Sequence, residues 1–502
     1  MTFDPLTTTA TTLQQLLQEG AITSVQIVER YLLQIERHNH VLNAFISVAP
    51  RDRLLDQAAA LDEERRAHRC RGPLHGIPIV LKDCFVTSHE LGMSTTAGAW
   101  AFSGAKATKS SGLAQKLMDA GFIILGKTNM TEFCGMKMMT SPGRSAVAGQ
   151  TLSPYVGPIK DGETILGHSS PGGSSTGSAV AVAAGFSPLA IGTETIGSIM
   201  TPSSRAALYA IKPTTGRQDT SGMYRMTEFF DSYGPMAKSP ADLISILEII
   251  LDRSLQTGAL MSRGKWESLA VGFVDPKIWK LAPEICKQEE GTLEQMVDDY
   301  EAIISVLQED GCIIKYPIEL QDCSVLAVDG QDAIMPIAYW EFKHIGLPNF
   351  IDAFDECPVT SLEDLIQLNK DHAETAMPPP HTEQNDLIKA LEMNEPAREI
   401  KILGDKLRAK TRRILDEIYE EQNINLIAAP VDSAFCIYAA AADIADLPGY
   451  PLGHVSLGQL RYNSRPFGLC LMARADEEKA LLQFMSSYEA TVSPRPVPSL
   501  SQ

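Results

Sequence analysis

The feature that most constrains this chain is a repeated pattern between residues 70 and 216, where short, continuously apolar runs are separated by helical segments. "GIPIVLKD" is an apolar run that ends in charge, "SSGLAQKLMDAGF" has helical spacing, and "IILGKTN", "SPLAIGTET" and "LYAIKPT" are further apolar runs. Strands that are apolar along their whole length belong to a sheet buried on both faces, and the intervening helices cover those faces. The expectation is an α/β fold with a mixed, largely parallel central sheet between two layers of helices. In such sheets reactive groups gather at the carboxyl ends of strands. Lys82, the Asn129 loop and the loop at 195–198 fall at such ends.

The rest of the chain is organised around that block. Residues 1–70 read as N-terminal helices: Thr12 with Gln15 and Thr23 with Gln26 are capping-box pairs ahead of apolar helical faces, and "LNAFISV" is a short strand. Residues 70–216 are the core block. Between 255 and 425 the character shifts to longer charged helices, such as "LEQMVDDYEAIISVLQED" and "AREIKILGDKLRAKTRRILDEIYEEQ", with an exposed Pro-rich loop in "HAETAMPPPHTEQND". "INLIAAPVD" and "RPFGLCLMA" return to buried strands over 425–490. We read residues 1–502 as one domain with a helical elaboration inside it.

Composition excludes several classes. A formal net charge of -19 argues against a nucleic-acid or anionic-membrane surface, because phosphate recognition needs a basic footprint. Nine cysteines form no CxxC pair, and ten histidines show no HxxxH or HExxH spacing, so neither a disulfide framework nor a metal site is expected. The start lacks a basic segment followed by an apolar one, and no stretch is long and apolar enough for a membrane span. A cytoplasmic protein is the expectation.

Two loops carry chemistry. "GHSSPGGSSTGSAVAVAAG", residues 167–185, runs from glycines and serines into a helix of small side chains. In "AIGTETIGSIMTPSSRAALYAIKPTTG", residues 190–216, an apolar strand breaks into a polar turn that presents Ser198 ahead of a helix. Free backbone N–H groups at such a turn suit an oxyanion hole. A serine needs a base, and Lys82 is the candidate, because burial penalises its charged form and moves a lysine towards general-base range. The bland alternatives are that Lys82 pairs with Asp83 and that His75 and His168 are ordinary hydrogen-bonded histidines.

Taken together and in order, "GIPIVLKD", "PGGSSTGS" and "GTETIGSI" resemble the amidase signature family. "ITSVQIVERYLLQIERHNHVLNAFI", "LGMSTTAGAWAF", "LGKTNMTEF", "GQTLSPY" and "RPFGLCLMA" are similar to further blocks of that family, so the resemblance covers residues 10–216 and returns over 425–490. It implies the amidase signature fold and a Ser-Ser-Lys triad in which Ser198 is the nucleophile, Ser174, on a cis peptide, the bridge, and Lys82 the base. It implies an oxyanion hole from the backbone N–H groups of Thr195, Ile196, Gly197 and Ser198. No metal or organic cofactor is implied, and the expected partners are a small-molecule amide substrate and a second copy of the chain in a homodimer. The sequence departs from the family at Ile196, since a β-branched residue disfavours positive φ. It departs also at Met200, which leaves Glu194 without a cationic partner there. Met136 and Met200 are the candidate substrate-binding residues of an apolar pocket.

Other readings compete. Ser175 in "GSSTG" matches the G-x-S-x-G elbow of α/β-hydrolases, although a poor, proline-containing strand precedes it. Within the family the alternatives are an acyl-transferring or amide-forming enzyme of specialised metabolism, a glutamine-amidotransferase-like subunit, and a degenerate binding member.

Overall fold

The computed structural model describes residues 3–139, 141–255, 266, 268–442, 449–492 and 494–500. Helices α1 (Ala10–Gln18) and α2 (Ser24–Leu42) lead in. The start of α2 is the expected capping box: Gln26 N–H donates to the Thr23 hydroxyl at 3.2 Å, and Thr23 N–H donates to the Gln26 side chain at 3.0 Å. The start of α1 differs from expectation, because Thr9 rather than Thr12 is the cap. Asp242 decides this, since its carboxylate accepts the N–H groups of Ala10 and Thr11 at 2.9 and 2.8 Å and so orders a turn ahead of Thr12.

One eleven-stranded sheet runs through the molecule. Its strands are β1 (Phe45–Val48), β2 (Pro78–Lys82), β3 (Ile123–Thr128), β4 (Leu189–Glu194), β5 (Tyr209–Lys212), β6 (Ser232–Ala237), β7 (Ala270–Val274), β8 (Ile313–Ile318), β9 (Leu426–Pro430), β10 (Leu452–Gln459) and β11 (Pro466–Ala473). Their spatial order is β1-β3-β2-β4-β6-β5-β10-β11-β9-β7-β8. Pairing is parallel for β3-β2-β4 and for β9-β7-β8, and antiparallel through the middle, which makes the sheet mixed. Helices including α3 (Arg51–Arg66), α4 (Gly112–Asp119), α5 (Thr176–Ala183) and α6 (Met200–Arg205) cover it.

Four strands lie outside the apolar runs read from the sequence. In β6, Gly234 and Pro235 are poor strand residues, yet a Cβ at Gly234 would lie 1.9 Å from the Ile211 carbonyl, so the close approach of β5 requires glycine. β7 and β8 come from within 255–425, so this region adds an edge to the sheet as well as helices; residues 256–265 are not among those described. β10 carries two glycines and polar side chains over its second half. The Pro-rich segment also departs from expectation. Pro379 and Pro380 are exposed, but Ala373–Ala376 is helical and Ala376, Met377 and Gln384 are buried, because Lys137 donates to the Ala376 carbonyl at 2.7 Å and draws the segment onto the molecule.

The segment between β3 and α5 and the helix that follows β4 are anchored by a buried charge cluster. Arg205, at the end of α6, donates to the carbonyls of Gly167 and Ser170 at 2.6 and 2.9 Å and pairs with Asp432 at 3.1 Å. Arg465 pairs with the other oxygen of Asp432 at 2.6 Å. Burial alone would raise Asp432, but the two guanidinium groups outweigh it and hold its carboxyl below the usual range. A carboxyl with a lowered folded pKa contributes stability above its unfolded value, ~3.9, and loses it as pH falls through the folded value. Asp432→Asn leaves two buried guanidinium groups without their counter-charge. We expect it to lower stability by about 3–5 kcal/mol in urea denaturation at pH 7, and to flatten the loss of stability of the wild type below about pH 4.

Candidate active site

Lys82 is the last residue of β2, which is buried throughout between its parallel neighbours β3 and β4. Its Nζ donates to the Ser174 hydroxyl at 2.7 Å and the Thr193 hydroxyl at 2.7 Å, and lies 3.4 Å from Cys134 Sγ and 3.5 Å from the Thr193 carbonyl. Asp83 is not its partner. Successive side chains leave a strand on opposite faces, and Asp83 pairs instead with buried Lys127 at 3.1 Å while accepting from the Thr96 hydroxyl at 2.6 Å. Burial lowers Lys127, against the pull of Asp83.

The Gly173–Ser174 peptide is cis. The hydroxyls of the loop divide the work between them. Ser174 receives Lys82, and Ser175 is stitched to β4: its hydroxyl donates to the Thr193 carbonyl at 2.9 Å and accepts the Thr193 N–H at 3.1 Å. Ser175 is fully buried and lies outside the cavity, which removes the α/β-hydrolase reading. Ser178 bonds the Ile191 carbonyl at 3.1 Å and the Thr128 hydroxyl at 2.7 Å, tying α5 to β3 and β4. The small residues of α5 permit close packing, since a Cβ on Gly177 would meet the Asn129 backbone at 2.5 Å.

Ser198 follows β4 on a turn whose positive φ of 74° falls on Gly197 and not on Ile196, so the β-branched residue is unstrained. Ser175 N–H donates to the Ser198 carbonyl at 3.0 Å, which locks the two loops together. Ser174 and Ser198 line the same cavity, of about 170 Å³, with Thr195, Ile196 and Met136. The Ser198 hydroxyl makes no hydrogen bond to the described residues in this conformation. Met200 is fully buried and does not line the cavity, so as a substrate-binding candidate it is replaced by the four methionines that do, Met136, Met139, Met226 and Met335. Glu194 has partners after all: its carboxylate accepts the N–H groups of Ile199 and Met200 at 2.5 and 2.9 Å. Burial nevertheless raises its pKa, these bonds opposing.

Three site residues escaped the sequence reading. Thr193 holds Lys82 from the β4 side. Cys134 touches Lys82 from a left-handed backbone turn at Phe133 and Cys134, with φ of 48° and 56°. A hydrogen bond from Cys84 and the nearby Lys82 lower the Cys134 thiol, against burial. Asp231 accepts the Thr195 hydroxyl at 2.7 Å beneath the turn and is pushed up to about 7 by burial. His75 and His168 are structural. His75 bonds the Leu61 carbonyl at 2.9 Å, and His168 lies near Thr292 at 3.3 Å, with burial lowering it to about 4.

The chain is an α/β molecule in which a buried lysine meets a Gly/Ser loop beside a largely apolar cavity. The chain belongs to the amidase family, whose model matches residues 26–297, and its members cleave carbon–nitrogen amide bonds. It is 28% identical over 492 residues to a probable amidase of Arabidopsis thaliana, covering 95% of this chain and 89% of that protein. The solved peptide amidase of Stenotrophomonas maltophilia matches with a TM-score of 0.82 at 29% identity, over 99% of both chains. One component of the glutamyl-tRNA(Gln) amidotransferase of Symbiobacterium thermophilum is 37% identical, but over only 48% of this chain and 46% of that protein.

If Thr193 positions Lys82, Thr193→Val, which keeps the shape and removes the hydroxyl, should lower kcat by roughly 10–100-fold with little change in KM. Steady-state kinetics alongside an unchanged circular-dichroism spectrum would check this.

Proposed function

We propose that the protein hydrolyses a small-molecule amide through an acyl-enzyme on Ser198. The observation that carries the reading is the 2.7 Å hydrogen bond from Lys82 Nζ to Ser174 Oγ, in a loop that shares its cavity with Ser198. In its neutral form Lys82 takes the Ser174 proton. Ser174 takes the proton of Ser198 when the Ser198 side chain turns towards it within the shared cavity. Ser198 Oγ then attacks the amide carbonyl. The oxyanion sits against the backbone N–H groups of the turn at Thr195, Ile196, Gly197 and Ser198, whose fixed dipoles favour the developing charge. The relay runs backwards to protonate the leaving nitrogen, and water attacks the ester to free Ser198.

Two observations weigh against a glutamine-dependent role. Among the described residues lining the cavity none is a lysine or arginine that could receive the carboxylate of glutamine. The likeness to the amidotransferase component spans half the chain, whereas that to the peptide amidase is end to end.

On an amide substrate, Ser198→Ala should lower kcat by roughly 10⁴-fold or more, and Lys82→Ala and Ser174→Ala by about 10²–10⁴-fold each. Ammonia release measures these losses. Hydroxylamine should divert the acyl group to a hydroxamate in the wild type and not in Ser198→Ala. Near-normal turnover by Ser198→Ala would remove the assignment.

A further inference from the structure

The cavity beside Ser198 is walled by apolar side chains, chiefly Met136, Met139, Met226, Met335, Ile165 and Leu166. A volume of about 170 Å³ is close to that of cavities that hold one benzene ring. Methionines fit such groups of varied shape, because the thioether chain is flexible and polarisable. One lining residue breaks the pattern. Asp386 is the only charged side chain among the described residues that line the cavity, and it is largely buried, at 12% exposure.

The carboxylate of Asp386 is held at one oxygen and not at the other. The Tyr339 hydroxyl donates to Oδ1 at 2.6 Å, and Lys389 Nζ reaches the same oxygen at 3.0 Å. No hydrogen bond from a described residue reaches Oδ2. Lys389 is a weak counter-charge, because its side chain is 57% exposed and water screens it. Oδ2 is thus an accessible carboxylate oxygen without a donor in a largely apolar pocket, a place that favours a donor, preferably charged. The protein as a whole carries a net charge of -19, which raises the local concentration of cations and lowers that of anions.

We infer that the substrate is a cationic amide, an apolar group of about one aromatic ring that carries an ammonium or guanidinium received by Asp386. The inference rests on the acyl-enzyme reading of this cavity. Asp386 selects the substrate and takes no part in the proton relay, so its effect falls on binding. An anionic amide meets both the carboxylate and the apolar wall and is rejected.

A matched panel of primary amides tests this by ammonia release: neutral 3-phenylpropanamide, the same amide with an ammonium at the α-carbon (phenylalaninamide) or with an aminomethyl group at the para position, and a para-carboxylate analogue. We expect at least one cationic amide to exceed the neutral one in kcat/KM by about tenfold, and the carboxylate to fall below it. Asp386→Asn should erase the cation preference, bringing kcat/KM of the cationic and neutral amides to within about twofold of each other through a rise in KM for the cationic ones. In the wild type, benzylammonium should inhibit hydrolysis of the neutral amide more strongly than benzyl alcohol does, a result that needs no variant. Turnover without charge discrimination, or discrimination that survives Asp386→Asn, overturns the cation reading alone. Failure to hydrolyse any member, with no hydroxamate formed from any of them, overturns the acyl-enzyme reading beneath it.

Discussion

The site depends on where one nitrogen comes to rest. Lys82 Nζ is fully buried, and its neighbours are two hydroxyls, a carbonyl and a thiol rather than a carboxylate. The carboxylate next in sequence, Asp83, would be the obvious counter-charge for a buried ammonium. The strand prevents that pairing. Its period of two sends Asp83 to the opposite face, where Lys127 and Thr96 occupy its carboxylate. Lys82 is thereby left to a serine and a threonine, the arrangement on which the proposed relay rests.

The second constraint is that two loops from different strands must keep a fixed relation. Ser175 bonds β4 through its side chain and the Ser198 carbonyl through its N–H, so the Gly/Ser loop and the Ser198 turn move as one piece. Arg205 extends this to the carbonyls at 167 and 170 and, through Asp432, to the end of β9. Glu194 gathers the N–H groups of Ile199 and Met200 and so holds the turn open towards the cavity. The abundance of hydroxyls that makes the loop look odd as sequence is explained by this stitching, in which one serine faces the lysine and the others fasten the loop to the sheet. Such rigid support is what a proton relay needs, since small displacements of reacting groups cost large factors in rate.

Much of the fold was legible because its central strands are buried on both faces and read as unbroken apolar runs: β2, β3, β4, β5, β9 and β11 all lie in segments read that way. Strands whose identity is set by neighbours were not. β6 contains Gly234 because β5 passes so close, and that crowding is invisible along one chain. The sequence motifs single out Lys82, Ser174 and Ser198, and the fold sets Lys82 against Ser174 and Ser174 beside Ser198, whereas the contacts of Thr193, Cys134 and Asp231 depend on strand register and on a left-handed turn that no motif marks. Met200 misled, since a methionine at the start of α6 looks the same in sequence whether it faces cavity or core. Asp386 lies 188 positions beyond Ser198 in the chain, and only the folding-back of the Pro-rich segment places it on the same cavity.

The central claim is that Ser198 is a nucleophile activated through Lys82. It is tested most directly by treating the protein with a reactive fluorophosphonate and locating the adduct by peptide mass spectrometry, which requires no knowledge of the substrate. The account predicts one adduct, on Ser198, that is lost or greatly slowed in Lys82→Ala. An adduct on another serine, or equal labelling of Ser198 without Lys82, would contradict it.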